Sequence, residues 1–161
     1  MEYRRLGSAG VKVSAISLGA WLTYGSNLVS EEQAAACIRR AIEHGINFID
    51  VADIYSEGRA EEVVGRVIKD YKRSDLVIST KAYWPMSDNI NDRGLSRKHI
   101  VESVEKSLKR FQTDYIDIFF CHRFDEETPV EETVRAIDDL IRQGKILYWG
   151  TSMWNAAQLQ E

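Results

Sequence analysis

Four residues that exchange protons readily stand at the ends of short apolar stretches of this sequence. Asp50, Lys81 and His122 each close or follow such a stretch, and Tyr55 lies in the loop after Asp50. In a barrel built from alternating strands and helices, the carboxyl ends of the strands converge on one opening. A carboxylate, a phenol, an amine and an imidazole would then share one pocket, which is typical of a proton-transfer site.

The phenol of Tyr55 is the proton donor in this hypothesis. A free phenol has a pKa of about 10, so it gives up a proton slowly near neutral pH unless a neighbouring cation stabilises the phenolate. Lys81 is the predicted cation, and lowering the pKa by about three units needs roughly 4 kcal/mol of differential stabilisation. Asp50 would keep the Lys81 ammonium charged and oriented. His122 would orient a carbonyl oxygen toward Tyr55 and polarise it.

Each of these residue types also has an ordinary structural explanation. A tyrosine in a loop commonly packs as an amphipathic side chain, a lysine after a strand is usually solvated, and a single histidine often has a structural role. The hypothesis depends on the joint placement of four such groups at three consecutive predicted strand ends.

The composition predicts one globular unit that handles small molecules. The sequence has 161 residues, 44% of them hydrophobic, and a net charge of −4 with acids and bases interleaved. Without a basic stripe or a membrane-length apolar run, we expect neither nucleic-acid binding nor membrane insertion. Cys37 and Cys121 are too few for a disulfide framework or a zinc site, so both are interpreted as buried hydrophobes in a reducing compartment. No apolar leader opens the chain, and we expect a cytoplasmic protein.

Strands and helices alternate after an N-terminal hairpin that has turn residues at 7–10. Near-continuous apolar runs predict buried parallel strands at 15–18, 47–51, 76–80, 116–120 and 146–149. Capping boxes beginning at Ser30 and Thr128 predict two helix starts, and Gly45 and Gly144 predict the ends of the same helices. A 3.6-residue period predicts four buried helix faces. Their residues are Ala34, Ile38, Ala41 and Ile42; Val63, Val64, Val67 and Ile68; Ile100, Val104, Leu108 and Phe111; and Val134, Ile137, Leu140 and Ile141.

A strand–helix unit of about thirty residues therefore repeats along the chain. Right-handed crossovers carried to one side predict an α/β fold, a TIM (β/α)8 barrel, present here as the hairpin, about five strands and four to five helices. Because such a barrel typically needs about 250 residues, residues 1–161 are interpreted as the N-terminal portion of a single barrel domain whose C-terminal strands are absent. The longer polar segment 85–95 is a candidate lid or binding loop.

The sequence resembles the aldo-keto reductase superfamily, and within it the branch that contains the β subunits of voltage-gated potassium channels and their bacterial relatives. The resemblance covers essentially the whole chain, and the series Asp50, Tyr55, Lys81 and His122 is highly specific. The other matching segments are GAWLTYG at 19–25, FIDVADIY at 48–55, STK at 79–81, RGLSRKHI at 93–100, EETVRA at 131–136 and YWGTS at 148–152.

This resemblance implies a complete barrel closed at its bottom by the hairpin, and hydride transfer from NADPH to a small-molecule aldehyde or ketone. It implies that Tyr55 is the general acid, that Lys81 and Asp50 tune it, and that His122 binds the substrate oxygen. Ser152 would hold the nicotinamide carboxamide. The other implied cofactor contacts are Asp50, Ala20, Trp21 and Asn27, and no metal is implied.

Two tryptophans, and two positions at which this chain differs from the family pattern, need an interpretation. Trp21 and Trp84 are candidates for an aromatic substrate wall, with packing in the core or at the rim as the alternative. Many reductases have Ser-Asn after the fifth strand, whereas this chain has Ser152-Met153, so one cofactor contact differs. Channel subunits have Asn at the position of His122, and the histidine is typical of active reductases.

Three alternative interpretations remain open. The chain could belong to a regulatory module that holds NADPH and docks on a membrane channel or transporter with little turnover. It could instead belong to a cofactor-free acid–base barrel enzyme such as an isomerase or lyase. Residues 1–161 alone could also be inactive, because barrels of this kind commonly bind phosphate with loops after the seventh and eighth strands. Unpaired edges at the first and fifth strands predict aggregation or homo-oligomer formation by the isolated segment.

Overall fold

The computed structural model describes residues 1–161 as a hairpin followed by alternating strands and helices. The strands are β1 (Tyr3–Arg5), β2 (Lys12–Ser14), β3 (Leu18–Gly19), β4 (Phe48–Asp50), β5 (Val77–Ala82), β6 (Ile116–Cys121) and β7 (Ile146–Thr151). The helices are α1 (Glu31–Glu43), α2 (Arg59–Ile68), α3 (Arg97–Phe111), α4 (Val130–Arg142) and α5 (Ala156–Gln160). Short 3-10 turns cover Tyr55–Gly58 and Arg73–Asp75.

The strands β3 to β7 form one parallel sheet in which every strand pairs with its neighbour in the sequence. This is the strand order of the first part of a (β/α)8 barrel and agrees with the predicted alternation. The strands β1 and β2 pair antiparallel as the predicted hairpin. Because all five parallel strands run in the same direction, their carboxyl ends lie at one edge of the sheet.

The predicted first strand at 15–18 is wrong in its position. The strand β3 contains only Leu18 and Gly19, and Ala15 to Ser17 are exposed. The Ala15 amide donates to the Glu2 carbonyl at 2.9 Å, and the Ser14 hydroxyl donates to the Ile16 carbonyl at 2.7 Å. These bonds hold the segment in the turn between the hairpin and the sheet, so it does not pair with the neighbouring strand β4.

One predicted capping box is confirmed and the other is wrong. The Ser30 hydroxyl accepts from the Gln33 amide and the Gln33 side chain accepts from the Ser30 amide, both at 3.2 Å. Helix α4 has Pro129 as its N-cap and no side-chain cap, because the Thr128 hydroxyl donates to Asp125 at 2.7 Å. The predicted helix ends are confirmed, since Gly45 and Gly144 follow α1 and α4 with φ of +85° and +72°.

The sheet and the inner faces of the helices form one core. All four predicted residues of α2 and all four of α3 are buried. In α4 the prediction is wrong for Val134, which is 38% exposed beside Trp149 in an open groove next to the edge strand β7. Cys121 is buried as predicted, whereas Cys37 is exposed on α1, contrary to the prediction. None of the helices combines the length and the apolar character that crossing a bilayer requires.

Candidate functional site

The carboxyl edge of the parallel sheet brings the predicted proton-active residues together. Asp50 is the last residue of β4, Lys81 is the penultimate residue of β5, and His122 follows the end of β6. Asp50 is in register with Ser79 of β5, and Lys81 is in register with Phe120 of β6. The three side chains therefore come from neighbouring strands, with Lys81 two residues past the partner of Asp50 and His122 two residues past the partner of Lys81.

Asp50 and Lys81 form a partly enclosed ion pair. The Lys81 ammonium donates to Asp50 Oδ1 at 2.8 Å and to the Val51 carbonyl at 2.6 Å, and the residue is 8% exposed. Burial lowers the pKa of Lys81, and the charge of Asp50 opposes that shift. Asp50 Oδ1 also accepts from the Ser79 hydroxyl at 2.5 Å. Asp50 Oδ2 has no protein partner, and the Asp50 side chain is 32% exposed, so this oxygen is open to a ligand.

Tyr55 lies beside this pair at the start of a strained turn. Ser56 and Glu57 have φ of +51° and +57°, and the Ser56 hydroxyl donates to the Tyr24 carbonyl at 3.0 Å. Non-glycine residues rarely adopt such φ values, and where they do, the surrounding structure must hold them. The Lys81 ammonium lies 5.3 Å from the centroid of the Tyr55 ring. The phenol and the amine thus share one pocket, as the sequence predicted.

The predicted lowering of the pKa of Tyr55 is wrong for this structure. Lys81 donates to Asp50 and Val51 rather than to the phenol. Burial raises the pKa of Tyr55, the charge of Asp50 raises it further, and only Arg123 opposes the shift. Because burial and the charge of Asp50 both disfavour the phenolate, the phenol keeps its proton. The protonated form is the one that a general acid needs before the reaction.

His122 is a neutral imidazole beside the phenol. Its ring centroid lies 6.0 Å from that of Tyr55 with an interplanar angle of 77°, and the residue is 7% exposed. Burial, followed by the positive charges of Lys81 and Arg123, lowers the pKa of His122 to about 4. Its Nδ1 atom is enclosed without a partner. A neutral imidazole can donate one N–H to an incoming oxygen without adding a charge.

Two tryptophans flank these groups at the opening. The Trp21 ring stacks on Tyr55 at 6.4 Å between centroids, and the Trp84 ring meets His122 edge-on at 6.3 Å. Trp21 is 65% exposed and Trp84 is 37% exposed, so neither belongs to the core. A cavity of about 840 Å³ has Trp84 and Phe124 in its lining but none of the four proton-active residues. Its other lining residues come largely from the segment 85–95 and from the loop after β6.

The predicted cofactor residues divide into a group at the sheet edge and one outlier. The Ala20 amide donates to the Asp50 carbonyl at 3.0 Å, and the Ser152 amide donates to the Cys121 carbonyl at 2.9 Å, so both residues lie at the edge that carries Asp50 and His122. Trp21 adjoins Tyr55. Asn27 is exposed in the loop before α1 and makes no hydrogen bond to the others. The Ser152 hydroxyl and Asp50 Oδ2 lack protein partners, and this donor and acceptor set fits a carboxamide and a ribose.

Sequence reasoning missed Arg123, the residue after His122. Its guanidinium donates to the His122 carbonyl at 2.5 Å and lies 5.4 Å from the centroid of the Trp84 ring. Arg123 is half-buried and takes part in none of the ion pairs of the structure. Its position directly after His122 was the available signal.

Sequence reasoning also missed a set of buried polar residues behind β5, called here the buried carboxylate cluster: Asp53, Glu61, Thr80, Ser103 and Arg110. Glu61 accepts from the Thr80 hydroxyl and from the Arg110 guanidinium, both at 2.5 Å. Asp53 accepts from the Ser103 hydroxyl at 2.8 Å, and its Oδ1 atom has no partner. Burial, with the charge of Glu61 as the next cause, raises the pKa of Asp53 to about 7. No group of three or more His, Cys, Asp and Glu side chains is arranged to hold a metal ion.

Known proteins with the same sequence pattern are reductases and channel subunits. Residues 15–161 match the model of the aldo/keto reductase family. The chain is 50% identical over its full length to a probable voltage-gated potassium channel subunit beta of Arabidopsis thaliana and 49% identical to one of Oryza sativa subsp. japonica. It spans 49% of the length of each of these relatives.

Solved structures with the same fold are also aldo-keto reductases. A thermostable aldo-keto reductase in complex with the inhibitor epalrestat superimposes with a TM-score of 0.88 at 35% identity, over 99% of this chain and 57% of that one. An aldo-keto reductase from Klebsiella pneumoniae in complex with NADPH gives 0.81 at 36% identity, over 92% and 49%. The predicted partial barrel and the predicted resemblance are both confirmed. The chain belongs to the aldo/keto reductase family.

Proposed function

We propose that this chain forms the catalytic part of an NADPH-dependent reductase that converts an aldehyde or ketone to an alcohol. The observation that carries the proposal is the convergence of Tyr55, the Asp50–Lys81 pair and His122 on one opening, with the phenol protonated and the imidazole neutral. Family membership and the NADPH complex of the Klebsiella pneumoniae relative support the choice of reaction and cofactor.

Each side chain has a separate role in the proton transfer. Bound NADPH would supply the hydride. His122 donates a hydrogen bond to the carbonyl oxygen and holds it against Tyr55, and Tyr55 gives its proton to that oxygen as negative charge develops there. In this proposal the Lys81 ammonium, 5.3 Å from the ring centroid, offsets part of the cost that burial and the charge of Asp50 impose on the resulting phenolate. Lys81 is thus a stabiliser of the phenolate that forms, while Asp50 holds its charge and position.

The Asp50 carboxylate has a second task in this proposal. One of its oxygens binds Lys81 and Ser79, and the other is free of protein partners. The free oxygen would accept from the ribose of the cofactor, and the Ser152 hydroxyl would hold the carboxamide. Ala20, Trp21 and Asn27 complete the proposed cofactor contacts, with Asn27 acting from the exposed loop before α1.

The test is reduction of 4-nitrobenzaldehyde by the purified natural polypeptide that contains this chain. With NADPH present, absorbance at 340 nm should fall in proportion to the protein concentration. NADPH binding without loss of absorbance, over a panel of aromatic and aliphatic aldehydes, would contradict the proposal. The 161-residue chain measured alongside shows whether these residues suffice.

A regulatory channel subunit is the second candidate, because the two plant relatives carry that name. In that case NADPH would bind and the protein would associate with a membrane channel, with little turnover. The neutral imidazole of His122, with its ring centroid 6.0 Å from that of Tyr55, favours turnover instead. Single-turnover decay of bound NADPH after addition of 4-nitrobenzaldehyde separates the two, since the regulatory candidate predicts a half-life far longer than the assay.

A further inference from the structure

Arg123 is a cation at the opening that the reductase mechanism does not use. The other cation of the site, Lys81, is neutralised by Asp50 at 2.8 Å. Arg123 has no such partner, and its only hydrogen bond is to the carbonyl of its neighbour His122. A half-buried guanidinium has five N–H donors, and most of those of Arg123 lack an acceptor in the protein.

The nearest carboxylate along the chain is occupied elsewhere. Asp125 accepts from the Leu95 amide at 2.7 Å, from the Thr128 hydroxyl at 2.7 Å and from the Glu127 amide at 3.0 Å. The Leu95 bond fastens the loop after β6 to the segment before α3, and Asp125 cannot turn to Arg123 without breaking the three bonds. The guanidinium therefore keeps its positive charge uncompensated beside the opening.

The aromatic ring of Trp84 links Arg123 to the reacting groups. Arg123 lies over one side of this ring, 5.4 Å from its centroid, and His122 meets the ring at 6.3 Å. A substrate whose carbonyl oxygen contacts His122 and Tyr55 can lie along Trp84 and present its far end to Arg123. We infer that Arg123 selects carbonyl substrates that carry a carboxylate at the end remote from the reacting carbon. This inference rests on the proposed carbonyl reduction.

The chemistry of the guanidinium decides the ligand class. Arginine binds a carboxylate through two parallel N–H bonds, and such charge-assisted bonds are stronger than neutral ones. The stacked Trp84 ring restricts the guanidinium, so less freedom is lost when the ligand binds. A cofactor phosphate shares this anionic chemistry, and the experiment must separate it from a substrate carboxylate.

The experiment compares two aldehydes that differ only in charge, 4-carboxybenzaldehyde and its methyl ester. The parent protein should have a higher kcat/KM for the acid than for the ester. Arg123→Gln should lower the acid-to-ester ratio by at least about 10-fold, mainly through KM, and Arg123→Lys should restore part of it. The ratio isolates the charge, since any general damage to the site affects both substrates. Arg93→Gln, an exposed residue of the neighbouring cavity, is the matched control and should change the ratio by less than about twofold.

Two results would overturn the inference. An unchanged acid-to-ester ratio in Arg123→Gln would show that this charge does not select the substrate. A loss of NADPH affinity in that variant with an unchanged ratio would assign the guanidinium to the cofactor. If the parent reduces neither aldehyde, calorimetric titration with 4-(hydroxymethyl)benzoate and its methyl ester decides the binding question, and failure over the whole aldehyde panel would contradict the proposed reaction itself. Arg123→Gln should then weaken binding of the acid by about 10-fold and leave binding of the ester unchanged, and equal affinities in both proteins would contradict the assignment.

Discussion

Asp50 and Asp53 stand three residues apart on the same segment and have opposite surroundings. Asp50 faces the opening, pairs with Lys81 and remains 32% exposed. Asp53 is fully buried in the buried carboxylate cluster, bonded to Ser103 through one oxygen only. The segment from Asp50 to Asp53 therefore contributes to both sides of β5. The side that faces the opening, called here the open side, has the reactive groups, and the side with the buried carboxylate cluster, called the closed side, has the structural groups. The two sides should therefore respond differently to substitution.

Glu61→Gln should have the largest effect on stability. The substitution leaves the Arg110 guanidinium, whose side chain is 17% exposed, without its buried partner. Breaking such a pair typically costs about 3–5 kcal/mol in the free energy of unfolding. Denaturant unfolding measures the change. Glu131→Gln breaks the pair with Arg135, in which both side chains are about three-quarters exposed, and as the control it should cost less than about 0.5 kcal/mol. Equal costs for the two variants would contradict the distinction between the two kinds of ion pair.

Lys81→Met should have the opposite profile, with a large loss of activity and a small loss of stability. Without the ammonium the developing phenolate of Tyr55 loses the counter-charge proposed for it, and kcat/KM should fall by at least about 100-fold, equivalent to about 2.7 kcal/mol. The free energy of unfolding should change by about 1 kcal/mol or less, because Asp50 keeps its bond from Ser79 and contacts solvent. Lys98→Met, at an exposed position of α3, is the control with unchanged turnover. A variant that unfolds readily while the folded fraction stays active would place Lys81 with the structural groups.

Asp53→Asn should have an effect on stability that depends on pH. The folded-state pKa of Asp53 is raised from 3.8 to about 7, so the folded protein binds the proton more tightly than the unfolded chain does. The stability from this proton is fully present below pH 3.8 and is lost as pH rises toward 7. The parent should therefore lose stability relative to the variant by up to about 1.4 kcal/mol per pH unit over this window. Unfolding measured at pH 5, 6 and 7 tests this, and a difference that stays constant with pH would contradict it. His122, whose lowered pKa acts in the opposite direction, cancels because both proteins contain it.

The open side was predictable because its residues follow local signals. Apolar runs end at Asp50, Lys81 and His122, and parallel strands in chain order must align those ends. The acidity of Tyr55 was not predictable, since it depends on whether the ammonium donates to the phenol or to Asp50. That choice is set by distances between three strands and a turn rather than by residue types.

The residues of the closed side could not be predicted from the sequence, for a different reason. Glu61 lies beside a second glutamate at the start of α2, where acidic residues are usually solvated, and its burial follows from Thr80 and Arg110 on two other elements. The exposure of Val134 was also not predictable from local sequence. It depends on what covers the neighbouring face of β7 rather than on the place of Val134 in the helical period. Periodicity reports which face of an element is apolar, and only the assembled fold decides which elements cover it.

The most direct test of the central claim is Tyr55→Phe in the purified natural polypeptide, with NADPH affinity and carbonyl turnover measured side by side. The ring and its stacking on Trp21 remain, and only the hydroxyl proton is lost. The dissociation constant for NADPH should stay within about twofold, while the turnover of 4-nitrobenzaldehyde should fall by at least about 100-fold, the usual scale for losing a general acid. Turnover equal to that of the parent protein would show that the proton comes from another group.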